Sequence, residues 1–159
     1  GHYETGEPLP KDMLDKMLAA KNFQSAMGMM RQLEFSLFDM RLHAEYQDGM
    51  SIQKVLDEVR EEVSVIKPPA FNRFQNGFGH IFAGGYAAGY YSYKWAEVLS
   101  CDAYSRFEEE GPFNADTGRD FREKILARGG SQEPMELFVA FRGREPSVEP
   151  LLRHSGIEG

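Results

Sequence analysis

The amino-acid sequence predicts an all-α protein. Apolar residues recur three and four positions apart over several long stretches, which is the spacing of one helix face. Proline and glycine separate these stretches at Pro68-Pro69, Gly111-Pro112 and Gly129-Gly130, where helices are expected to end. Alternation of apolar and polar residues nowhere continues beyond a few positions, so no strand is predicted.

Caps and helix breakers give the approximate bounds of each element. The predicted helices cover residues 11–20, 23–46, 52–63, 86–110, 114–128, 133–141 and 148–154. Asn22 and Ser51 are the expected caps of the second and third helices, and Asn114 or Asp116 opens the fifth. A Gly-rich loop, 71–85, precedes a long helix that bears tyrosines.

The second predicted helix is apolar around most of its circumference, a pattern typical of a helix buried in a larger body. An isolated charge in such a helix would be costly. We therefore expect Glu34, Asp39 and Arg41 to form buried or half-buried pairs.

Composition limits the classes of function. The chain has 159 residues, which suits a single helical domain spanning 1–159, and a net charge of −7. An acidic chain argues against binding to nucleic acid or to an anionic membrane. No run of about 18 apolar residues and no signal peptide is present, and the lone Cys101 fits a reducing compartment. We expect a cytoplasmic protein.

The start of the chain suggests that it is part of a longer protein. It opens Gly1-His2-Tyr3 without an initiator Met, and polar residues continue to Pro10. We expect that the missing part contributes to function.

The segment from Gly77 to Tyr93 carries the most chemical information. Its glycines permit positive φ, close approach of the backbone to a ligand, and hinge motion. Tyr86, Tyr90 and Tyr93 are spaced by four and three residues, which puts them within about 60° of one another around a helix. Their phenols, with the imidazole of His80, can donate hydrogen bonds to carbonyl oxygens.

A packing role for these tyrosines is the open alternative, because tyrosines at helical spacing commonly pack while their hydroxyls reach water. The glycine pattern is not that of a dinucleotide site. Packing roles are also expected for His43 and Cys101. Arg142 and Arg144 either hold a substrate carboxylate or pair with an acidic residue, for which Glu133, Glu136 and Glu145 are candidates. The run Glu108-Glu109-Glu110 is expected to be a solvated helix end.

Several strings of the sequence together resemble one enzyme family. They are His80-Ile81-Phe82-Ala83-Gly84-Gly85-Tyr86-Ala87-Ala88-Gly89-Tyr90-Tyr91-Ser92-Tyr93, Ala19-Ala20-Lys21-Asn22-Phe23, Arg31-Gln32-Leu33-Glu34-Phe35, Phe107-Glu108-Glu109-Glu110-Gly111, Arg128-Gly129-Gly130-Ser131 and Phe141-Arg142-Gly143-Arg144-Glu145-Pro146. With them the chain resembles, over nearly its whole length, the zinc metallopeptidases of the thimet oligopeptidase and dipeptidyl carboxypeptidase family. Lys94 departs from the apolar residue usual there.

The resemblance implies the carboxy-terminal, all-α part of a zincin-type oligopeptidase that hydrolyses short peptides in a deep channel. Family members bind zinc through H-E-x-x-H and a later Glu, and this sequence has no H-E-x-x-H. It therefore implies that the zinc ligands lie upstream, that this chain binds no metal, and that it is inactive alone.

The resemblance also implies roles for particular residues. Those matching Tyr93 and His80 bind the substrate carbonyl near the scissile bond, with Tyr93 as the main oxyanion donor. Tyr86, Tyr90, Gly84 and Gly85 belong to the same unit and are expected to bind substrate. Two other functions stay open: a stand-alone helical module that binds a partner protein, and a regulatory domain with a small-molecule site.

Overall fold

A computed structural model describes residues 1–157, and every regular element among them is helical. The helices are α1 (Lys11–Ala20), α2 (Ser25–Glu45), α3 (Ile52–Val63), α4 (Phe74–Gly77), α5 (Gly79–Phe82), α6 (Ser92–Glu110), α7 (Ala115–Phe121) with a π-helical extension (Arg122–Leu126), α8 (Pro134–Arg142) and α9 (Glu149–His154). The all-α prediction is confirmed. Within this described part, no helix is both long and apolar enough to cross a bilayer.

Local signals set most helix ends where the sequence indicates them. The Ser51 hydroxyl accepts the Lys54 amide at 3.3 Å and caps α3. Asn114, rather than Asp116, caps α7, because its side-chain oxygen accepts hydrogen bonds from the amides of Asp116 and Thr117. Gly111 ends α6 with φ 107° and Gly143 ends α8 with φ 83°, backbone conformations that glycine adopts without a steric penalty.

The predicted start of α2 is wrong. Gln24 has a left-handed φ of 55°, so the helix begins at Ser25, and Asn22 makes no side-chain cap. The Ser25 hydroxyl donates instead to the carbonyl oxygen of Ser155 at 2.5 Å. This bond joins the start of α2 to the end of α9, a contact that local sequence does not indicate.

The predicted bounds of the loop 71–85 and of the following helix are also wrong. Two short helices, α4 and α5, interrupt the loop, and α6 begins at Ser92 rather than at Tyr86. The intervening residues form turns, in which Ala88 has a positive φ of 54°. Tyr86 and Tyr90 therefore lie outside the long helix, and Tyr93 lies in its first turn.

One hydrophobic core lies between α2 and α3. Phe38, Leu56 and Val59 are fully buried there, and Ile81 and Tyr90 complete it from α5 and the turn that follows. Each such side chain contributes about 1.5–3 kcal/mol through removal of apolar surface from water. The core thus supports the glycine-rich segment from beneath.

The charged residues of α2 pair as expected. Glu34 is buried and accepts hydrogen bonds from Arg60 at 3.1 Å and from Ser64 at 2.7 Å. Burial by itself would raise the pKa of Glu34, but the bonds from Ser64, Arg31 and Arg60 outweigh it and lower that pKa. Arg41 pairs with Glu62 at 2.6 Å. The core face of α2 is therefore charge-compensated.

A second group of helices, α6 to α9, packs around another buried carboxylate. Asp102 is fully buried. Its carboxylate accepts a hydrogen bond of 2.6 Å from each terminal nitrogen of Arg144 and one of 3.1 Å from the Arg142 Nε. The Ser147 amide adds a bond of 2.7 Å. Both arginines are thus structural. Arg144 binds Asp102, and Arg142 binds both Asp102 and Glu109; among the described residues these are the acidic side-chain partners, in place of the expected Glu133, Glu136 or Glu145.

The acidic run at the end of α6 is solvent-exposed, and each of its carboxylates also forms an ion pair. Glu108 binds Arg153 at 2.6 Å and His154 at 3.0 Å, Glu109 binds Arg142 at 3.1 Å, and Glu110 binds Arg106 at 3.0 Å. Each carboxylate therefore joins α6 to itself or to a later helix. The three glutamates are exposed and α6 ends at Glu110, as expected of a solvated helix end, but their ion pairs, two of them with residues distant in sequence, were not predicted.

Candidate peptide-binding site

The site is built on a tight reversal of the chain after α5. The Tyr86 amide donates to the His80 carbonyl oxygen at 3.2 Å, which folds Tyr86 back over His80. At Gly84, a Cβ atom would lie 2.9 Å from the Cα and carbonyl oxygen of His80, so no other residue fits. Gly85 has φ 80°. The two glycines therefore make the reversal possible.

This reversal brings the predicted site residues together. The ring centroids of His80 and Tyr86 are 6.1 Å apart, those of Tyr86 and Tyr93 5.0 Å, and those of Tyr90 and Tyr93 5.2 Å. The expected clustering is found, but a turn produces it rather than one helix face.

The members of this aromatic cluster (His80, Tyr86, Tyr90 and Tyr93) differ in exposure. His80 is exposed, Tyr93 is 40% exposed and Tyr86 is half-buried. The polar atoms of His80, Tyr86 and Tyr93 form an open surface that can donate hydrogen bonds to a carbonyl oxygen. Such donors match the repeated carbonyls of an extended peptide.

Tyr90 forms the floor of the cluster. Its ring is only 9% exposed and packs edge-on against Phe35 and Phe78. Its hydroxyl donates to the Gln32 Oε1 at 3.0 Å, and burial raises its pKa. The Tyr90 hydroxyl is thus engaged within the protein, unlike the open phenol expected from its spacing.

The phenols of Tyr93 and Tyr86 are direct neighbours. The hydrogen bond with Tyr86 raises the pKa of Tyr93, with smaller contributions from burial and from the neighbouring phenols. The raised pKa keeps the Tyr93 hydroxyl protonated further into the alkaline range than an ordinary tyrosine. That is the state that a hydrogen-bond donor to an oxyanion requires.

Asp39 is the residue of the site whose role sequence reasoning missed. Its carboxylate accepts the Ala88 amide and the Tyr90 amide, each at 2.9 Å, and the His43 Nδ1 also lies 2.9 Å away. The sequence indicated only a buried charge awaiting a partner. That partner is the turn that carries the tyrosines, 49 residues further along the chain. His43, bound to Asp39, has the structural role expected of it.

Within residues 1–157, no three His, Cys, Asp or Glu side chains are arranged to hold a metal ion. His43 is occupied by Asp39 and His154 by Glu108, and each has only this one acidic neighbour recorded. His80 stands among aromatic rings instead. The described residues do not fit a zinc site.

An all-helical chain with an open cluster of phenol and imidazole donors is suited to binding a polypeptide. The chain belongs to a family of peptidases, Peptidase family M3, which matches residues 1–157. It is 63% identical to oligopeptidase A of Salmonella typhimurium over 161 residues, covering 100% of this chain and 24% of that relative. Oligopeptidase A of Escherichia coli is 62% identical with the same coverage.

A relative from another kingdom has similar coverage. The probable cytosolic oligopeptidase A of Arabidopsis thaliana is 51% identical over 162 residues, covering 98% of this chain and 23% of the plant protein. The chain thus spans about a quarter of the length of the curated relatives that it matches.

Proposed function

We propose that this chain is the substrate-binding, carboxy-terminal part of a zinc metalloendopeptidase that hydrolyses short peptides, as oligopeptidase A does by its name. The observation that carries the proposal is the open surface formed by His80, Tyr86 and Tyr93. The ring centroid of Tyr86 lies 6.1 Å from that of His80 and 5.0 Å from that of Tyr93. Membership of Peptidase family M3 supports the same reaction class.

In this proposal Tyr93 donates the main hydrogen bond to the oxygen of the scissile carbonyl as that oxygen becomes an oxyanion. Its protonated state and its 40% exposure suit that task. His80 is a second donor or orients the peptide backbone. Both groups bind more strongly as charge develops on the oxygen, so they favour the transition state over the bound substrate.

The remaining predicted residues bind or shape rather than react. Tyr86 holds Tyr93 and borders the substrate, while Tyr90 supports both rings from beneath and contacts substrate only at its exposed edge. Gly84 and Gly85 allow the backbone reversal, and we propose that they also allow the segment to move when a peptide enters.

We assign zinc to residues of the longer protein that lie outside this chain. The sequence given has no H-E-x-x-H, and the described histidines lie apart from one another with acidic or aromatic neighbours. This chain alone is therefore proposed to be inactive. Its partners are short peptides and the missing amino-terminal part of the same protein.

Exposed apolar surface supports a missing part that packs here. Leu33 and Met40 on α2 and Trp95 on α6 are each between about a third and a half exposed. Helix α2 was expected to be buried all round, and only one side of it is covered by α3 and its neighbours. We further propose that residues 1–159 form one helical domain and that the longer protein is cytoplasmic, like the plant relative described as cytosolic.

The test compares this chain with the full-length protein on a short peptide carrying a fluorophore and a quencher. The full-length protein should cleave it, a zinc chelator should abolish cleavage, and added zinc should restore it. The chain alone should not cleave under any of these conditions. Cleavage by the chain alone, or full chelator resistance of the longer protein, would overturn the proposal.

One observation favours a protein-interaction role as the second candidate. An open groove of about 510 Å³ between α6, α7 and α8 is lined mainly by apolar residues, among them Leu99, Phe121 and Leu137. A partner helix could bury this surface. If the full-length protein hydrolyses no short peptide in that test, the interaction role replaces the peptidase role.

A further inference from the structure

Asp39 is a buried carboxylate of α2, and it contacts the turn that carries the aromatic cluster. It is 1% exposed. Its Oδ1 accepts the Ala88 amide and its Oδ2 accepts the Tyr90 amide. The turn has no other side-chain hydrogen-bond acceptor for these two amides among the bonds of the described residues. One rigid helix therefore holds two backbone points on either side of Gly89.

The turn that Asp39 holds is strained. Ala88 has φ 54°, a left-handed conformation that costs a residue with a Cβ atom free energy. The Gly89 amide closes the turn on the Tyr86 carbonyl oxygen at 2.8 Å. Without an external anchor, a strained alanine turn would relax to the ordinary region of φ and carry Tyr86 away from Tyr93.

The geometry points to Asp39 as a positioning residue for catalysis: by holding the Ala88 and Tyr90 amides it fixes the phenols of Tyr86 and Tyr93 where the substrate oxygen is bound. This inference rests on the proposed function. Asp39 itself is buried beneath the turn and contacts no substrate. Its effect is geometric, and small displacements of donor groups are enough to reduce a rate strongly.

The first test is Asp39→Asn in the full-length enzyme. Asparagine has the same shape, but its NH₂ group replaces one acceptor oxygen, so one of the two amides meets a donor. We expect kcat to fall about 10- to 100-fold, the range for a misplaced catalytic group, with a smaller change in KM. Hydrogen exchange of the Ala88 and Tyr90 amides should accelerate.

Glu34→Gln is the matched control. Glu34 is a second buried carboxylate on the same helix, but it binds Arg60 and Ser64 of the α3 region instead of the turn. Both variants should lower the melting temperature, and only Asp39→Asn should lower kcat. Equal losses of kcat in the two variants, or unchanged exchange at Ala88 and Tyr90, would show that Asp39 is only structural.

A second pair of variants tests the turn without touching the core. Ala88→Val puts a β-branched side chain at positive φ and should lower kcat, whereas Ala88→Gly removes the strain and should retain it. Combined with Asp39→Asn, Ala88→Gly should recover about 5-fold of the lost kcat, the factor that corresponds to the cost of a left-handed alanine. This pair decides the matter if Asp39→Asn does not fold: equal kcat for Val and Gly at position 88 would refute the inference.

The proposed function and the positioning role of Asp39 can be refuted separately. If Tyr93→Phe and His80→Ala leave kcat intact, the proposed function is wrong. If those variants lose activity while Asp39→Asn and Ala88→Val keep it, only the positioning role of Asp39 is wrong.

Discussion

The phenol rings of Tyr86 and Tyr93 stack with centroids 5.0 Å apart and planes inclined by 27°, although one residue lies in a turn and the other in the first turn of α6. This contact joins the glycine-rich segment to the long helix. It also puts the two phenols close enough for hydrogen bonding with Tyr86 to raise the pKa of Tyr93. Tyr86 therefore raises the pKa of the proposed oxyanion donor, although it lies seven positions earlier in the chain.

Removal of the Tyr93 hydroxyl should slow turnover. In the full-length enzyme, Tyr93→Phe is expected to lower kcat by about 10²–10³-fold, the usual cost of one lost oxyanion donor, while KM changes little. Tyr91→Phe is the control, since Tyr91 is a 51% exposed neighbour and the ring contacts of the cluster among the described residues do not include it. Steady-state kinetics on a quenched peptide provide the measurement, and near-normal turnover by Tyr93→Phe would remove this residue from the mechanism.

Tyr86→Phe should change the alkaline side of the pH profile. Tyr93 must keep its proton to donate, so activity falls as pH rises through the pKa of Tyr93. Loss of the Tyr86 hydroxyl removes the main cause of the raised pKa, and the alkaline limb of the kcat profile should move to lower pH. An alkaline limb identical in the wild type and in Tyr86→Phe would argue that another group titrates there.

Gly84→Ala should distort the reversal that carries His80. The new Cβ atom would sit 2.9 Å from His80 backbone atoms, which cannot move like a flexible side chain. We expect a loss of about 1–3 kcal/mol in the free energy of unfolding, typical of overpacking, and a lower kcat. Gly77→Ala is the control in the same segment because nothing lies within 4 Å of its Cβ position. Thermal unfolding and kinetics should separate the two variants.

If the glycines also act as a hinge, the effect of Gly84→Ala on kcat should depend on peptide length. Longer peptides need a wider opening of the segment, so they should suffer more. A uniform effect across peptide lengths would limit Gly84 to shaping the turn.

Asp102→Asn should make stability less dependent on pH. Burial alone would raise the pKa of Asp102, but the bonds from Arg144, Ser147 and Arg142 outweigh it and lower that pKa. A lowered folded-state pKa stabilises the protein above the unfolded value of about 3.9, and the stabilisation disappears as pH falls through the folded value. The variant should lose about 3 kcal/mol at pH 7 by breaking a buried pair.

Unfolding of the full-length wild type and of Asp102→Asn at pH 7 and near pH 3 measures this effect. The difference between the two proteins should shrink at the lower pH. The same substitution at Asp116, an exposed residue, should leave both values unchanged. A difference between wild type and Asp102→Asn that is the same at both pH values would contradict the assigned titration.

The sequence predicts those parts of the fold that depend on neighbouring residues. Ser51 and Asn114 cap helices, and Gly111 and Gly143 end them, because each acts on amides or carbonyls within about one helical turn. The start of α6 could not be found in this way. The tyrosine spacing of four and three is compatible with a helix, but Asp39 selects a turn from 49 and 51 residues away.

The same reason explains the outcome at the candidate site. Residue types identified His80, Tyr86, Tyr90 and Tyr93 as a group, and the group is indeed assembled. Spacing alone could not reveal that the Tyr90 hydroxyl is bound to Gln32, 58 residues earlier. Nor could it reveal that Asp102 binds both Arg142 and Arg144, which lie about 40 residues later.

Helix α6 carries Tyr93 in its first turn and Asp102 nine residues further on, a distance of about 13 Å along the axis. Arg142 at the end of α8 and Arg144 just after it bind Asp102 near the middle of α6, so this helix is fixed to the last third of the chain. A rotation of α6 about its axis would displace the Tyr93 phenol. We therefore expect substitutions of Arg142 or Arg144 to shift this phenol without altering any residue proposed to bind a peptide.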